Sequence, residues 1–261
     1  MVATSGGLYV VKWKQNPQHR RVLINEFIAA QLLKRLGIAS PAHALVRADY
    51  AFLKENPEIA NWGKKDLKPA GVGLHFGSKV PVDPDKTAIY DFLPLTLLSS
   101  VANLNDFLKA FVFDLWVDNN DGRQAIFFRV AGKALSALMI DNGFAFGFDG
   151  TEWRMRDRVI SKGRHSLVKL YTSEQSKGTF EATISTIANI TVADLEAIRQ
   201  LIPREWVEDD NNELTRMLAE LDRRSKRLPT LLQQAVEGLR GDSDQIRQRA
   251  SGNVSVTFRS I

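Results

Sequence analysis

Residues 8–14, LYVVKWK, alternate apolar and polar positions and are rich in β-branched and aromatic types, so they read as a strand. The period then changes. Over residues 21–36, RVLINEFIAAQLLKRL, the apolar positions recur at helical spacing, and Gly37 followed by Pro41 ends the helix. A strand is expected near 42–47. Residues 50–70 carry Asn-Pro and Lys-Pro breakers and read as irregular, and further strands are expected over 72–80 and 86–93. From Leu104 the pattern is helical again. Leu104, Phe107, Leu108, Phe111, Val112, Leu115 and Trp116 form one stripe, with Asn103 as the expected cap and Asp106 in the first turn.

Two short apolar runs follow, AIFFRV and LSALMI, separated by a segment containing Gly132. Folding the chain about that glycine makes a hairpin in which Gln124 lies opposite Ile140 and Asp121 comes close to Asp141. Beyond residue 150 helices are expected at 174–190, 192–202 (capped by Thr191), 211–227 and 229–239, before a polar, weakly β-like tail. A β-rich first part followed by a mostly helical second part suggests a ligand cleft between them.

Composition changes this picture little. The 261 residues are 44% apolar and 25% charged, enough for an ordinary globular core, and the net charge of +5 is mild for the length. Direct nucleic-acid binding is therefore not expected. There is no cysteine, which removes disulfides, thiolate metal sites and thiol nucleophiles and agrees with a cytoplasmic location. The start has no apolar signal region, and no run approaches the roughly 18–20 residues of a bilayer span.

The chemistry-bearing groups collect at one end of the hairpin. Two carboxylates and one amide there could serve phosphoryl transfer, with one Asp taking the proton of an attacking hydroxyl and the other, with a side-chain oxygen, holding Mg²⁺. Asp, Asn and Gly are also ordinary turn residues, so two plain turns are the competing interpretation. Lys12 raises a similar choice. In its apolar strand it either meets an anion or lies on a solvated edge with Lys14. Glu26 shares a helix face with Val22, Ala29, Ala30 and Leu33, so it should be buried and should find a cation.

Together these stretches resemble the HipA-like kinases, a family of toxin-like bacterial kinases with a fold similar to phosphoinositide kinases. The resemblance rests on YVVKWKQNPQHRRVLINEFIAAQLLKRLGIASP, AIYDFLP, FDLWVDNNDGRQAIFF and LMIDNGFAFG, in that order over residues 8–147. It implies an α+β, two-lobed kinase-like fold: a β-rich N-terminal lobe over 1–93, a mostly helical C-terminal lobe over 94–241 with a catalytic β-hairpin, and a polar tail over 242–261. It implies an ATP-dependent phosphotransferase using Mg²⁺. Lys12 would contact the ATP phosphates and Glu26 would orient it. Tyr90, Asp91, Phe92 and Leu93 would form the hinge against the adenine. Asp121 would be the catalytic base, assisted by Arg123, and Asp141 with Gln124 would hold the metal.

Three departures from the family pattern shape the expectation. Gln124 stands where an Asn is usual, and Asp121-Gly122-Arg123 replaces Asp-Arg, so Arg123 either serves one step later or pairs with a nearby carboxylate. The SGG at 5–7 reads as a turn, so the glycine-rich phosphate loop is expected to be missing. The partners expected are thus a nucleotide and an acceptor that is open: a protein Ser/Thr, a small molecule or the protein itself. The alternative is a catalytically weak or inactive kinase-like module that binds a protein.

The remaining signals read as structural. His19, His43, His75 and His165 show no metal-ligand spacing, RRSKR at 223–227 reads as a solvated helix face, FGSKVP at 76–81 as a turn, and LTRMLAEL at 214–221 as core packing.

Overall fold

The computed structural model describes residues 3, 6–15, 18–60, 71–119, 121–157 and 167–252. His165, Trp62 and the tail beyond 252 lie outside them. Strand β1 (Tyr9–Lys12) leads to helix α1 (Arg21–Arg35), strand β2 (His43–Ala48), helix α2 (Tyr50–Glu55) and strand β3 (Gly73–Lys79). Then come strand β4 (Ile89–Tyr90), helix α3 (Asn105–Val117) and strands β5 (Gln124–Phe128) and β6 (Ser136–Ile140). Helices α4 (Val168–Tyr171), α5 (Ser176–Ala188), α6 (Val192–Gln200), α7 (Arg204–Val207) and α8 (Asn211–Gly252) complete the order.

The strands form two antiparallel three-stranded sheets, ordered β1-β3-β2 and β4-β5-β6. In the first, Lys12 pairs with Phe76, and Phe76 with Leu45. In the second, the hairpin has the expected register: Gln124 lies opposite Ile140, and Gly132 sits in the turn with φ of 73°. The run expected over 86–93 makes only the two residues of β4. That strand joins the hairpin through Ile89–Phe128 and Tyr90–Phe127 rather than extending the first sheet. Phe76–Lys79 of the expected turn are likewise strand, their ladder partners on both sides being supplied by β1 and β2. Residues 50–55, expected as irregular, form α2 because Asp49 caps it, accepting the Phe52 N–H at 2.8 Å.

Helix α1 runs through the core. Val22, Leu23, Ile24, Ile28, Leu32 and Leu33 are all fully buried, each contributing roughly 1.5–3 kcal/mol. This helix is therefore anchored firmly enough to hold buried polar groups in place. It stops at Gly37, whose φ of 60° suits a residue without Cβ, and the Ile38 N–H closes on the Leu33 carbonyl at 3.0 Å. Helix α3 packs on α5 and α8, and the Trp116 indole N–H reaches the Leu221 carbonyl at 2.9 Å. Leu214, Met217, Leu218 and Leu221 are buried, as their spacing indicates.

Three local expectations are corrected. Asn103 does not cap α3. Its amide accepts the Ala137 N–H at 2.9 Å and donates to the Ala137 carbonyl at 2.8 Å, extending the outer edge of β6 in place of a neighbouring strand. Helix α8 does not break at Pro229 but continues through it, because a proline costs one internal bond while the flanking Leu228 and Leu231 are buried in the core. Arg224, expected on a solvated face, is 2% exposed and donates to the Leu115 carbonyl and to Asp157.

Candidate active site

Lys12 leaves β1 near α1, and its ammonium bonds the Glu26 carboxylate and Asp141 Oδ1, the latter at 2.8 Å. The strand lysine therefore meets two anions. Lys14, its alternative companion on a solvated edge, pairs separately with Glu205 at 2.5 Å. Burial alone would lower the Lys12 pKa, but Glu26 and Asp141 outweigh it and hold the group above its ordinary value. Burial would likewise raise Asp141, yet Lys12, the Gly143 N–H and Arg123 bring it below the ordinary carboxylate value. Both groups are therefore charged at neutral pH.

Glu26 is only 4% exposed, so its charge needs more than one partner. The second is the Asn142 N–H, at 3.0 Å. Its neighbour Asn25, fully buried, donates to the Gly143 carbonyl at 2.7 Å and accepts the Trp153 indole N–H at 2.7 Å. Two consecutive residues of α1 thus grip the backbone on the far side of Asp141. The grip holds Asp141 in the left-handed region, with φ of 57°, a conformation Asp tolerates better than most residues. Gly143 leaves little room for a side chain: a Cβ there would come within 2.9 Å of the buried Val22 side chain.

At the other strand of the hairpin, Asp121 and Gln124 are exposed. Asp121 Oδ1 accepts the N–H of Gly122 at 2.9 Å. The register brings Gln124 opposite Ile140, the residue before Asp141, and Asp121 precedes Gln124 by three positions. Arg123, expected among the catalytic groups, has a side chain only 9% exposed. Its guanidinium is committed to a bidentate pair with Asp114, to Asn142 Oδ1 at 2.9 Å and to the Ile140 carbonyl at 3.4 Å. Burial would lower its pKa, but Asp114 raises it.

In the expected hinge, Tyr90, Asp91 and Phe92 are exposed and Leu93 packs against the core. Among the described residues, no hydrogen bond engages the backbone N–H of Asp91, Phe92 or Leu93. Nor is there, among the described residues, a group of three or more His, Asp or Glu side chains placed to hold a metal. Mg²⁺ needs few protein ligands, because it keeps several waters, and it prefers oxygen. The partly exposed Asp141 carboxylate and the Gln124 amide oxygen fit that donor chemistry.

The model of one protein family, HipA-like kinase, matches residues 2–235. The chain belongs to the HipA-like kinase family. The match spans both sheets, the site and most of the helices of this HipA-like kinase, whereas the stretches quoted from the sequence cover 8–147. The crystal structure of a Helicobacter pylori proinflammatory kinase, CtkA, resembles it at a TM-score of 0.49 and 15% identity, covering 89% of this chain and 92% of that chain. No curated protein matches it. In the HipA-like kinase, Asn142 and Asp114 join the site although neither stood out in the sequence. The Asp-Asn-Gly run that holds Asn142 reads as an ordinary turn, and Asp114 falls between the apolar positions of the α3 stripe. Among the described residues no helix is long and apolar enough to cross a membrane.

Proposed function

We propose that this HipA-like kinase transfers the terminal phosphoryl group of ATP to a hydroxyl acceptor with the help of Mg²⁺. The observation that carries this reading is the Lys12 ammonium held between buried Glu26 and partly exposed Asp141. A lysine oriented by a helix glutamate is suited to bind phosphate oxygens, because its position is set before the ligand arrives. Mg²⁺, when bound, would neutralise the charge developing on the phosphates. Asp141 would hold the metal through a carboxylate that stays ionised, with Gln124 adding an amide oxygen. Asp121, exposed to solvent, would orient the acceptor hydroxyl and take its proton at a carboxylate oxygen. The backbone N–H groups of Asp91–Leu93, unbonded among the described residues, would meet the adenine edge at the end of β4.

ATP hydrolysis and autophosphorylation test this, together with the rise in melting temperature caused by ATP and Mg²⁺. Activity is expected in the wild type and is expected to be lost in Asp121→Ala and Asp141→Ala. Full activity in both variants would refute the assignment of the acids. No thermal shift at millimolar nucleotide, with no hydrolysis, would replace it with a kinase-like module that binds a protein partner.

A further inference from the structure

Asp114 lies in the last turn of α3, is 19% exposed at its side chain, and has no role in the chemistry just proposed. Its carboxylate has two sets of dependants. Oδ1 accepts the Asn119 side-chain N–H at 3.0 Å, and Asn119 Oδ1 in turn accepts the backbone N–H of Asp121 at 3.2 Å. The same carboxylate takes two Arg123 donors, Nε (at 3.0 Å) and Nη2, and Nη1 passes on to Asn142 Oδ1 and the Ile140 carbonyl. Ile140 and Asn142 are the two neighbours of Asp141. One arm therefore ends on the backbone of Asp121, and the other brackets Asp141.

We infer that Asp114 is a positioning residue that sets both acid-bearing loops, the Asp121 loop through Asn119 and the Asp141 turn through Arg123. The chemistry favours a carboxylate at this hub. A bidentate guanidinium needs two acceptor oxygens in one plane, and the Asn119 amide needs a further lone pair on one of them. No neutral side chain of this size supplies all three. Helix α3 is buried between α5 and α8, so the hub is held rigidly by the packed core. Its two arms transmit that rigidity to an exposed loop and to a left-handed turn. The functional consequence rests on the phosphoryl-transfer reading; the coupling of the loops does not.

The deciding experiment is amide hydrogen exchange on the ligand-free protein, with MgADP titration followed by melting temperature. The variants are Asp114→Asn, Asn119→Ala and, as a destabilised control outside the site, Leu221→Ala. An amide at 114 would present N–H to one of the Arg123 donors. Asp114→Asn is therefore expected to speed exchange at both the Asp121 and Asn142 N–H, and to weaken MgADP by 10- to 100-fold, the usual effect of losing an outer-shell partner. Asn119→Ala is expected to speed exchange at Asp121 alone, and it keeps the test decisive if Asp114→Asn does not fold. Leu221→Ala, compared at equal loss of melting temperature, should do neither. An exchange pattern in Asp114→Asn that matches Leu221→Ala would overturn the inference, as would an Asn119→Ala variant that leaves Asp121 unchanged. A wild type that MgADP does not stabilise, with both loops still loosened by Asp114→Asn, would refute the transfer reading and leave the coupling standing.

Discussion

His75 offers a quantitative test of how the first sheet is held together. It lies in β3, fully buried, and its Nδ1 accepts the Lys14 N–H at 2.9 Å, two residues beyond Lys12. Trp13 packs edge-on at 4.5 Å, and Nε2 has no partner among the described residues. Burial is the main cause that lowers its pKa from 6.5 to about 4; Lys14 adds to it, while the Gly71 backbone and Glu205 oppose it. A folded pKa below the unfolded value means that the unfolded chain binds the extra proton first. The associated stability is therefore complete above about pH 6.5 and is lost as pH falls toward 4. A gap of about 2.5 units at 1.36 kcal/mol each comes to about 3 kcal/mol, a large fraction of a typical folding free energy of roughly 5–15 kcal/mol. The assay is urea unfolding of wild type and His75→Asn at a series of pH values from 7.5 to 4. Asn keeps an acceptor for the Lys14 N–H but does not titrate in this range. The stability difference between the two is expected to shrink by about 3 kcal/mol across the window. Taking the difference cancels His19 and His43, whose pKa values are also lowered chiefly by burial. Parallel curves, or an imidazole that titrates near 6.5 by NMR, would refute the reasoning.

Other perturbations follow from single contacts. Glu26→Gln keeps an acceptor for the Asn142 N–H but removes the charge beside Lys12, so nucleotide affinity by calorimetry should fall roughly tenfold, about 1.4 kcal/mol. Asn103→Ala takes away both bonds to Ala137 and leaves that N–H without its partner at the edge of β6; a loss of about 2 kcal/mol is expected in chemical denaturation. Pro229→Ala should raise the melting temperature, because the exposed proline breaks one internal bond of α8 and alanine restores it, a gain on the order of 1–3 kcal/mol.

Much of this site was legible in the amino-acid sequence. The hairpin register follows from two period-2 runs and one turn glycine, so the meeting of Gln124 with Ile140 is a local property of residues 124–140. The burial of Glu26 was readable from its face of α1, and the cost of burying a lone carboxylate made a cation partner necessary. The capping box of α6, in which Thr191 and Asp194 bond each other's backbone N–H, is equally local. What the sequence could not decide was which distant polar groups meet. Lys12 finds Asp141 across 129 positions only because α1 brings β1 against the hairpin. The Asn103 side chain closed on the Ala137 backbone of the hairpin instead of on a backbone N–H of its own helix, and Asp114 became the hub of two loops, since each choice depends on which unsatisfied donors the packed core places within reach. Periodicity records which face of an element is buried. Only the tertiary structure selects, among several polar groups of suitable chemistry, the one that closes each hydrogen bond.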